Sequence, residues 1–243
     1  MLGHTSIRSL VATGLLSSST LVSAIRPRDN GPVASSPMWP RCPQAWRQVG
    51  EELKHWFIDD EGRCTDLAAQ AVRLPFHDCF PTGGCDGSII LSNECTNRTE
   101  NEQMIPICGV LYRMSLDYGV GAADLINFAA SIANKACPWG PYIPFYIGRK
   151  DNSTASDPGQ IPPPTLNATD LVADFQARNF SAIDLVALVG AHSCGGNLTF
   201  VPFDTTPGEL DSPTYYTEVL TGSAPTILAS DKSLALDAST TDA

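Results

Sequence analysis

The sequence predicts an all-α fold, because apolar residues recur at helical spacing and strand-like segments are scarce. Amphipathic helices are predicted over residues 42–58, 65–77 and 122–137, and Pro138 ends the last of them. A chain of 243 residues is long enough for one sizeable core, or for two halves packed around a ligand.

Further helices are predicted in the second half of the chain. Residues 152–168 are rich in Pro, Ser and Thr and form a connector. Ser181 is placed to cap a helix that runs to His192. A helical segment over residues 212–220 and a short turn near Asp231 complete the prediction.

The charge excludes two classes of partner. The chain has 15 Lys and Arg against 26 Asp and Glu, a formal net charge of −11. Nucleic acids and anionic membrane surfaces would repel such a protein. We therefore expect neither nucleic-acid nor membrane binding.

The N-terminus has the pattern of a secretory signal. Arg8 precedes a weakly apolar run over residues 10–22, and Ala24 follows small residues suited to cleavage. The run is too short to span a membrane. We predict a signal peptide over residues 1–24, then a propeptide or N-terminal strap over residues 25–40, and an extracellular protein.

The cysteine content agrees with secretion. Eight cysteines in an exported chain indicate disulfides, and the sequence alone leaves 105 pairings open. The sequence contains no Cys-x-x-Cys pair, so we do not expect a structural zinc site. Possible glycosylation sites start at Asn97, Asn152, Asn167, Asn179 and Asn197.

Two of the four histidines lie in settings that suit chemistry. Arg73 and His77 are four residues apart, so they share one face of a helix. Cleavage of a peroxide O–O bond needs such a base and a fixed cation, although the spacing also occurs in surface ion-binding pairs. His192 ends an apolar helix, where it is either a metal ligand or a buried structural histidine.

Longer motifs surround these histidines: residues 76–80 (FHDCF), 84–88 (GCDGS) and 185–193 (LVALVGAHS). They resemble the distal and proximal regions of the secreted plant-type haem peroxidase superfamily, with features of its fungal class II and plant class III branches. The resemblance covers about residues 41–238 and keeps the order of the family's motifs.

The resemblance implies a haem-peroxidase domain over residues 41–243. A distal half, about residues 41–151, and a proximal half, about residues 168–243, would sandwich haem b between them. The family continues well beyond the position of Asp231, so either a short branch or a C-terminal truncation is expected.

The resemblance also assigns roles at the haem. On the distal side Arg73 and His77 would be catalytic, Asn101 would hydrogen-bond His77 and fix its tautomer, and Phe76 would flank the cofactor. On the proximal side His192 would be the axial iron ligand. Asp231 would accept the ring N–H of His192, and Asp237 is a rival for that role.

Two calcium sites are implied, since calcium takes carboxylate, hydroxyl and carbonyl oxygens. The distal set would be Asp78, Gly84, Asp86 and Ser88, although a Gly-rich turn with solvated acids is the alternative. The proximal set would be Ser193, Asp204, Thr206, the carbonyl of Glu209, and Asp211.

Structural pairs follow from the same resemblance. Disulfides are expected between Cys64 and Cys137 and between Cys79 and Cys85. The family's buried acid–base pair corresponds to Asp124 and Arg149.

Two residues depart from the family pattern or from helical rules. Pro75 lies inside the catalytic helix, where it removes a donor and is expected to shift His77 relative to Arg73. Cys194 follows a predicted calcium ligand and has no evident partner.

Specialised donors are not supported. The manganese-binding positions of manganese peroxidases are Asp66, Gln70 and Leu198 here, and one carboxylate of three makes a poor Mn²⁺ site. The surface Trp of lignin peroxidases corresponds to Ala187. Small phenols at the haem edge, near Ile161, are the remaining expectation.

We therefore predict a monomeric haem peroxidase that reduces H₂O₂ and oxidises small, phenolic donors in single-electron steps. The alternative is a degenerate or truncated peroxidase scaffold that acts in binding. A disulfide-rich carbohydrate-binding module would need strands, against which the helical periodicity argues.

Overall fold

The structure is a computed structural model, and it describes residues 43–196 and 201–241 of the chain. The predicted signal peptide and the strap over residues 25–40 lie outside this part, as does Leu198. None of the described helices is long and apolar enough to cross a membrane.

Ten α-helices and two 3₁₀ turns make up the described regular structure, together with isolated bridges at Ile58–Cys64 and Gly196–Pro202. The first six helices are α1 (Gln44–Phe57), α2 (Asp66–Cys79), α3 (Ser88–Leu91), α4 (Glu94–Asn97), α5 (Ile105–Tyr118) and α6 (Ala122–Ala136). The others are α7 (Ala168–Gln176), α8 (Ala182–Val189), α9 (Ser212–Thr221) and α10 (Ala229–Leu236). The 3₁₀ turns span Thr99–Met104 and Gly190–Cys194. The all-α prediction is confirmed.

The main core forms where α1, α2, α5 and α6 pack together. Its fully buried side chains include Leu53, Phe57, Leu74, Leu111 and Ile126. Burying each large apolar side chain contributes roughly 1.5–3 kcal/mol. This core fixes α2, which carries Arg73 and His77, as a rigid element.

A smaller cluster connects the end of α2 to the second half of the chain. Phe80 packs with Phe175 of α7, Leu185 of α8 and Leu234 of α10. A third cluster contains Phe203, together with Tyr215 and Val219 of α9.

The two expected disulfides, Cys64–Cys137 and Cys79–Cys85, are confirmed. A third, Cys95–Cys108, joins α4 to α5 and was not predicted. Cys194 is buried and free, and Cys42 lies outside the described residues.

The predicted acid–base pair is also present. The Arg149 guanidinium lies 3.1 Å from Asp124 Oδ1, and Asp124 also accepts the backbone N–H groups of Gly148 and Arg149. The pair ties the chain after α6 to the start of that helix, so its role is structural.

Candidate active site

Arg73 and His77 meet on the cavity-facing side of α2. Arg73 Nε donates to His77 Nε2 at 2.9 Å. The helix is continuous through Pro75, so the expected displacement of His77 from Arg73 does not occur. Since an interior proline removes one helical hydrogen bond, packing against α6 and the main core must hold the helix in place.

Asn101 fixes the tautomer of His77. Asn101 Nδ2 donates to the Glu94 carbonyl at 3.1 Å, so its Oδ1 is the atom 2.8 Å from His77 Nδ1. The proton of a neutral His77 therefore sits on Nδ1, which leaves the Nε2 lone pair toward Arg73. Burial, assisted by the Arg73 charge, lowers the pKa of His77 to about 3 against the opposing Asn101 hydrogen bond. His77 is thus a neutral base at physiological pH.

The Arg73 guanidinium is held by two further acceptors. Its Nη1 donates to Gln103 Oε1 at 2.7 Å, and its Nη2 donates to the Glu100 carbonyl at 3.2 Å. Burial lowers the pKa of Arg73, but arginine stays charged because its reference pKa is so high. Gln103 was missed by sequence analysis, and its only signal was its position two residues after Asn101.

The proximal histidine lies in the Gly190–Cys194 3₁₀ turn, which continues from α8. His192 Nδ1 lies 2.9 Å from Asp231 Oδ2. The rival Asp237 instead accepts from Ser239 N and Oγ beyond the end of α10. The structure therefore brings Asp231, not Asp237, to His192.

Tyr215 joins this pair and was also missed by sequence analysis. Its hydroxyl donates to Asp231 Oδ2 at 2.6 Å, while Ser230 Oγ donates to Oδ1 at 3.1 Å. Burial raises the pKa of Asp231, but the His192 charge and the three hydrogen bonds outweigh it and hold that pKa below its usual value. Asp231 is therefore an ionised acceptor.

A cavity of about 1910 Å³ is lined by both histidines. Arg73, Phe76 and His77 contribute to one part of its wall, and His192 and Asp231 to another. Sites for small molecules usually measure roughly 300–1,000 Å³. This cavity has room for a large flat ligand and for a second, smaller molecule.

Aromatic side chains form part of the cavity wall beside Phe76. The Phe76 ring stacks on Phe175 at 6.0 Å, and both contact Phe80. The Arg178 guanidinium lies 3.9 Å over the Phe80 ring. Ile161 and the Pro162–Pro164 run line the same cavity.

The predicted distal calcium residues extend from Asp78 in the last turn of α2, through the following loop, to Ser88 at the start of α3. Asp78 is buried and accepts from Gly87 N at 3.0 Å, and Asp86 Oδ1 accepts from Ser88 N at 3.0 Å. Burial, with the charges of Asp86 and Glu94, raises the pKa of Asp78 to about 7. Gly84 adopts a left-handed conformation, with φ of 80°, in this loop.

We expect Gly87→Ala to destabilise the protein by roughly 2–5 kcal/mol, because two penalties add. Gly87 has φ of 77°, and an added Cβ would lie 2.8 Å from the Ala123 backbone nitrogen. Gly62→Ala is the matched control, because Gly62 has φ of 80° but open space around it. That variant should lose only about 1–2 kcal/mol. If urea unfolding gave equal losses in the free energy of unfolding for the two variants, Gly87 would not be packed closely against α6.

The predicted proximal calcium residues also come together. Thr206 Oγ1 lies 3.0 Å from both carboxylate oxygens of Asp211 and Thr206 N donates to Asp204 Oδ1. Asp204 is fully buried, and its Oδ2 has no hydrogen-bond partner. Burial raises the pKa of Asp204 to about 6, with a contribution from Asp211. An unpaired buried carboxylate oxygen is costly unless a cation or proton satisfies it.

Ser193 and Glu209, the two other predicted proximal ligands, also make hydrogen bonds within the protein. The buried Ser193 hydroxyl donates to the Gly190 carbonyl at 2.9 Å, and the Glu209 side chain, whose carbonyl is the predicted ligand, accepts from Trp139 Nε1 at 3.0 Å. Across the described residues, no three His, Cys, Asp or Glu side chains form a metal cluster. Each predicted calcium set has only two carboxylates and relies on hydroxyl and carbonyl oxygens for the rest.

Two of the three positions that correspond to a manganese site, Asp66 and Gln70, are among the described residues. The Gln70 side chain accepts from Ile107 N at 3.2 Å and so supports the start of α5. Asp66 lies in the first turn of α2, where a carboxylate interacts favourably with the helix dipole.

The sequence matches the family model described as "Peroxidase" over residues 49–243. The chain belongs to the peroxidase family. It is 30% identical to "Ligninase H2" of Phanerodontia chrysosporium over 200 residues, which cover 74% of this chain and 54% of that protein. It is 31% identical to "Peroxidase 12" of Arabidopsis thaliana over 207 residues, with coverages of 77% and 56%. The chain thus spans about half the length of these curated relatives.

Family membership implies haem, and the residues present fit that group. His192 has its Nδ1 engaged by Asp231, so the other ring nitrogen is available to an iron. His77 and Arg73 line the same cavity, whose apolar wall suits a macrocycle. Gly190 lines the same cavity and also packs closely on α9, since an added Cβ would lie 2.9 Å from Ser212 Oγ.

Proposed function

We propose that this peroxidase is a haem enzyme that reduces H₂O₂ and oxidises small aromatic donors in single-electron steps. One observation carries the proposal: the unprotonated Nε2 of His77, beside the Arg73 cation, borders the same cavity as the His192–Asp231 pair. Bound haem b would supply an iron that takes peroxide as a ligand and stores two oxidising equivalents.

His192 would hold the iron, with Asp231 keeping its ring oriented and electron-rich. On the other side, His77 Nε2 would accept a proton from one peroxide oxygen and return it to the other, which leaves as water. The Asn101 hydrogen bond keeps Nε2 free for both transfers.

Arg73 would stabilise the negative charge that develops as the O–O bond breaks. Its anchors, Gln103 and the Glu100 carbonyl, hold the guanidinium in the cavity wall. Peroxide would have to replace the direct contact between Arg73 Nε and His77 Nε2. Arg73 and His77 would then both contact the two oxygen atoms of the peroxide.

Aromatic donors would approach the haem edge along the wall formed by Ile161, Pro162 and Phe175. We further propose that the protein is a secreted, disulfide-bonded monomer, glycosylated at one or more of its predicted sites. Three disulfides among the described residues support an oxidising compartment.

The pH profile of the peroxide reaction should report the low pKa of His77. Protonation removes the base, so the second-order rate constant should fall as pH decreases through about 3. It should stay nearly constant from pH 7 to pH 4 in stopped-flow measurements. An inflection near pH 6.5, the ordinary histidine value, would show that His77 is not buried as described.

Calcium removal should destabilise the protein. We propose Ca²⁺ at the distal set and at the proximal set, because Asp78 and Asp204 are buried and Asp204 Oδ2 is unpaired. Saturation at one hundred times Kd would add about 2.7 kcal/mol per site. EDTA should lower the Tm, Ca²⁺ but not Mg²⁺ should restore it, and Asp204→Ala should reduce the response. A Tm that EDTA leaves unchanged would contradict the two calcium sites.

The proposed activity is tested by steady-state oxidation of a small phenol with haem-supplied protein. Turnover should require both haem and H₂O₂, and free haem at the same concentration is the control. Absence of turnover in folded, haem-bound protein would favour the degenerate scaffold over the enzyme.

A further inference from the structure

The Asp231 carboxylate serves more donors than His192 alone. Oδ2 accepts from both His192 Nδ1, at 2.9 Å, and the Tyr215 hydroxyl, at 2.6 Å. Oδ1 accepts from Ser230 Oγ at 3.1 Å. The shorter of the two bonds to Oδ2 is therefore the one from tyrosine.

Tyr215 is placed for this contact by α9 and by its own burial. The residue is 1% exposed, and its ring stands perpendicular to the His192 imidazole at 6.0 Å. The hydroxyl also lies 3.3 Å from His192 Nδ1. Phe203 and Val219 pack around the same ring, so the hydroxyl cannot easily leave Asp231.

Sharing Oδ2 has an electronic consequence for His192. A carboxylate that accepts one N–H pulls strongly on that proton and makes the imidazole more basic and electron-rich. A second, shorter charge-assisted hydrogen bond to the same oxygen draws off part of its electron density. The bond to His192 is then weaker than in an otherwise identical pair without tyrosine.

We propose that Tyr215 is a positioning residue that moderates the His192–Asp231 hydrogen bond and thereby limits electron donation from His192 to the haem iron. The inference rests on the proposed function, since it requires an iron bound to His192. It assigns to the hydroxyl a role beyond packing. Less donation makes the ferric state less stable relative to the ferrous state, so Tyr215 would raise the reduction potential.

Haem-bound wild type, Tyr215→Phe and Tyr216→Phe separate this role from packing. Tyr216 is the matched control, because its hydroxyl donates to the Val186 carbonyl instead of to Asp231. In Tyr215→Phe we expect the iron–histidine stretch in ferrous resonance Raman spectra to move to higher frequency. The Fe(III)/Fe(II) potential should become more negative. Tyr216→Phe should leave both at the wild-type values.

Two further variants keep the test decisive. Ser230→Ala removes the donor to Oδ1, so it should shift the stretch in the same direction even if Tyr215→Phe folds poorly. In an Asp231→Asn background, removing the Tyr215 hydroxyl should have no further effect. Unchanged stretch and potential in folded Tyr215→Phe would overturn the inference.

The outcomes also separate the inference from the proposed function. Wild-type protein that shows an iron–histidine band but does not react with H₂O₂ would contradict the proposed activity, while the Tyr215 shift would still be measurable. Protein that reacts with H₂O₂ but shows identical bands with and without the hydroxyl would contradict the inference alone.

Discussion

His77→Ala should slow the reaction of the haem-bound protein with H₂O₂ by roughly 10²–10⁴-fold, the contribution of a positioned acid–base group. The variant loses the unprotonated ring nitrogen that accepts a hydrogen bond from Arg73 Nε. Haem should remain bound, because His192 and Asp231 are unchanged. Stopped-flow absorbance at increasing H₂O₂ gives the second-order rate constant directly.

His55→Ala is the control for this experiment. His55 is exposed on α1, in a part of the chain that does not line the cavity. The control should react at the wild-type rate. If His77→Ala reacted as fast as His55→Ala, the proton transfer would have to be assigned to another group.

Losing an outer-shell partner of a metal ligand typically weakens metal binding by roughly 10–100-fold. His192→Gly should weaken haem binding by more than this, because it removes the ligand itself. The glycine leaves a space beside Asp231, which can orient an added imidazole as it orients the side chain. We expect imidazole to restore a histidine-like spectrum in titrations followed by absorbance.

His77→Gly is the reciprocal variant. It should bind haem as wild type does and should not respond to imidazole with a gain in haem affinity. Equal loss of haem from the two glycine variants would contradict the assignment of one histidine to the iron and the other to peroxide.

Local sequence patterns were sufficient to predict much of the fold. The apolar spacing on α1, α2 and α6 and the cap at Ser181 gave helices within a few residues of those observed. The predicted helix to His192 ends as an α-helix at Val189 and continues as a 3₁₀ turn. Such tightening at the end of a helix depends on packing against α9, which the local pattern does not contain.

Contacts between distant segments were harder to predict. Arg73 with His77 is a four-residue spacing, so the sequence shows it directly. Gln103 and Tyr215 lie 30 and 23 residues from the side chains they contact, and no local rule links them. The Cys95–Cys108 pairing was one of many possible combinations until the structure placed α4 beside α5.

The proline in α2 shows why a local rule can fail. An interior proline usually kinks a helix, yet Arg73 and His77 remain in hydrogen-bond contact across Pro75. Leu74 is fully buried in the main core and Phe76 packs on Phe80 and Phe175. Packing on both sides of the proline outweighs its local cost.

The absorption spectrum of haem-supplied protein before and after one equivalent of H₂O₂ tests most directly whether the cavity holds haem and whether His77 acts on peroxide. We expect a Soret band that loses intensity and shifts on peroxide addition in wild type, and that stays unchanged on the same timescale in His77→Ala. A well-folded wild-type protein without a Soret band would contradict this expectation, because the cavity between His77 and His192 would then not be a haem site.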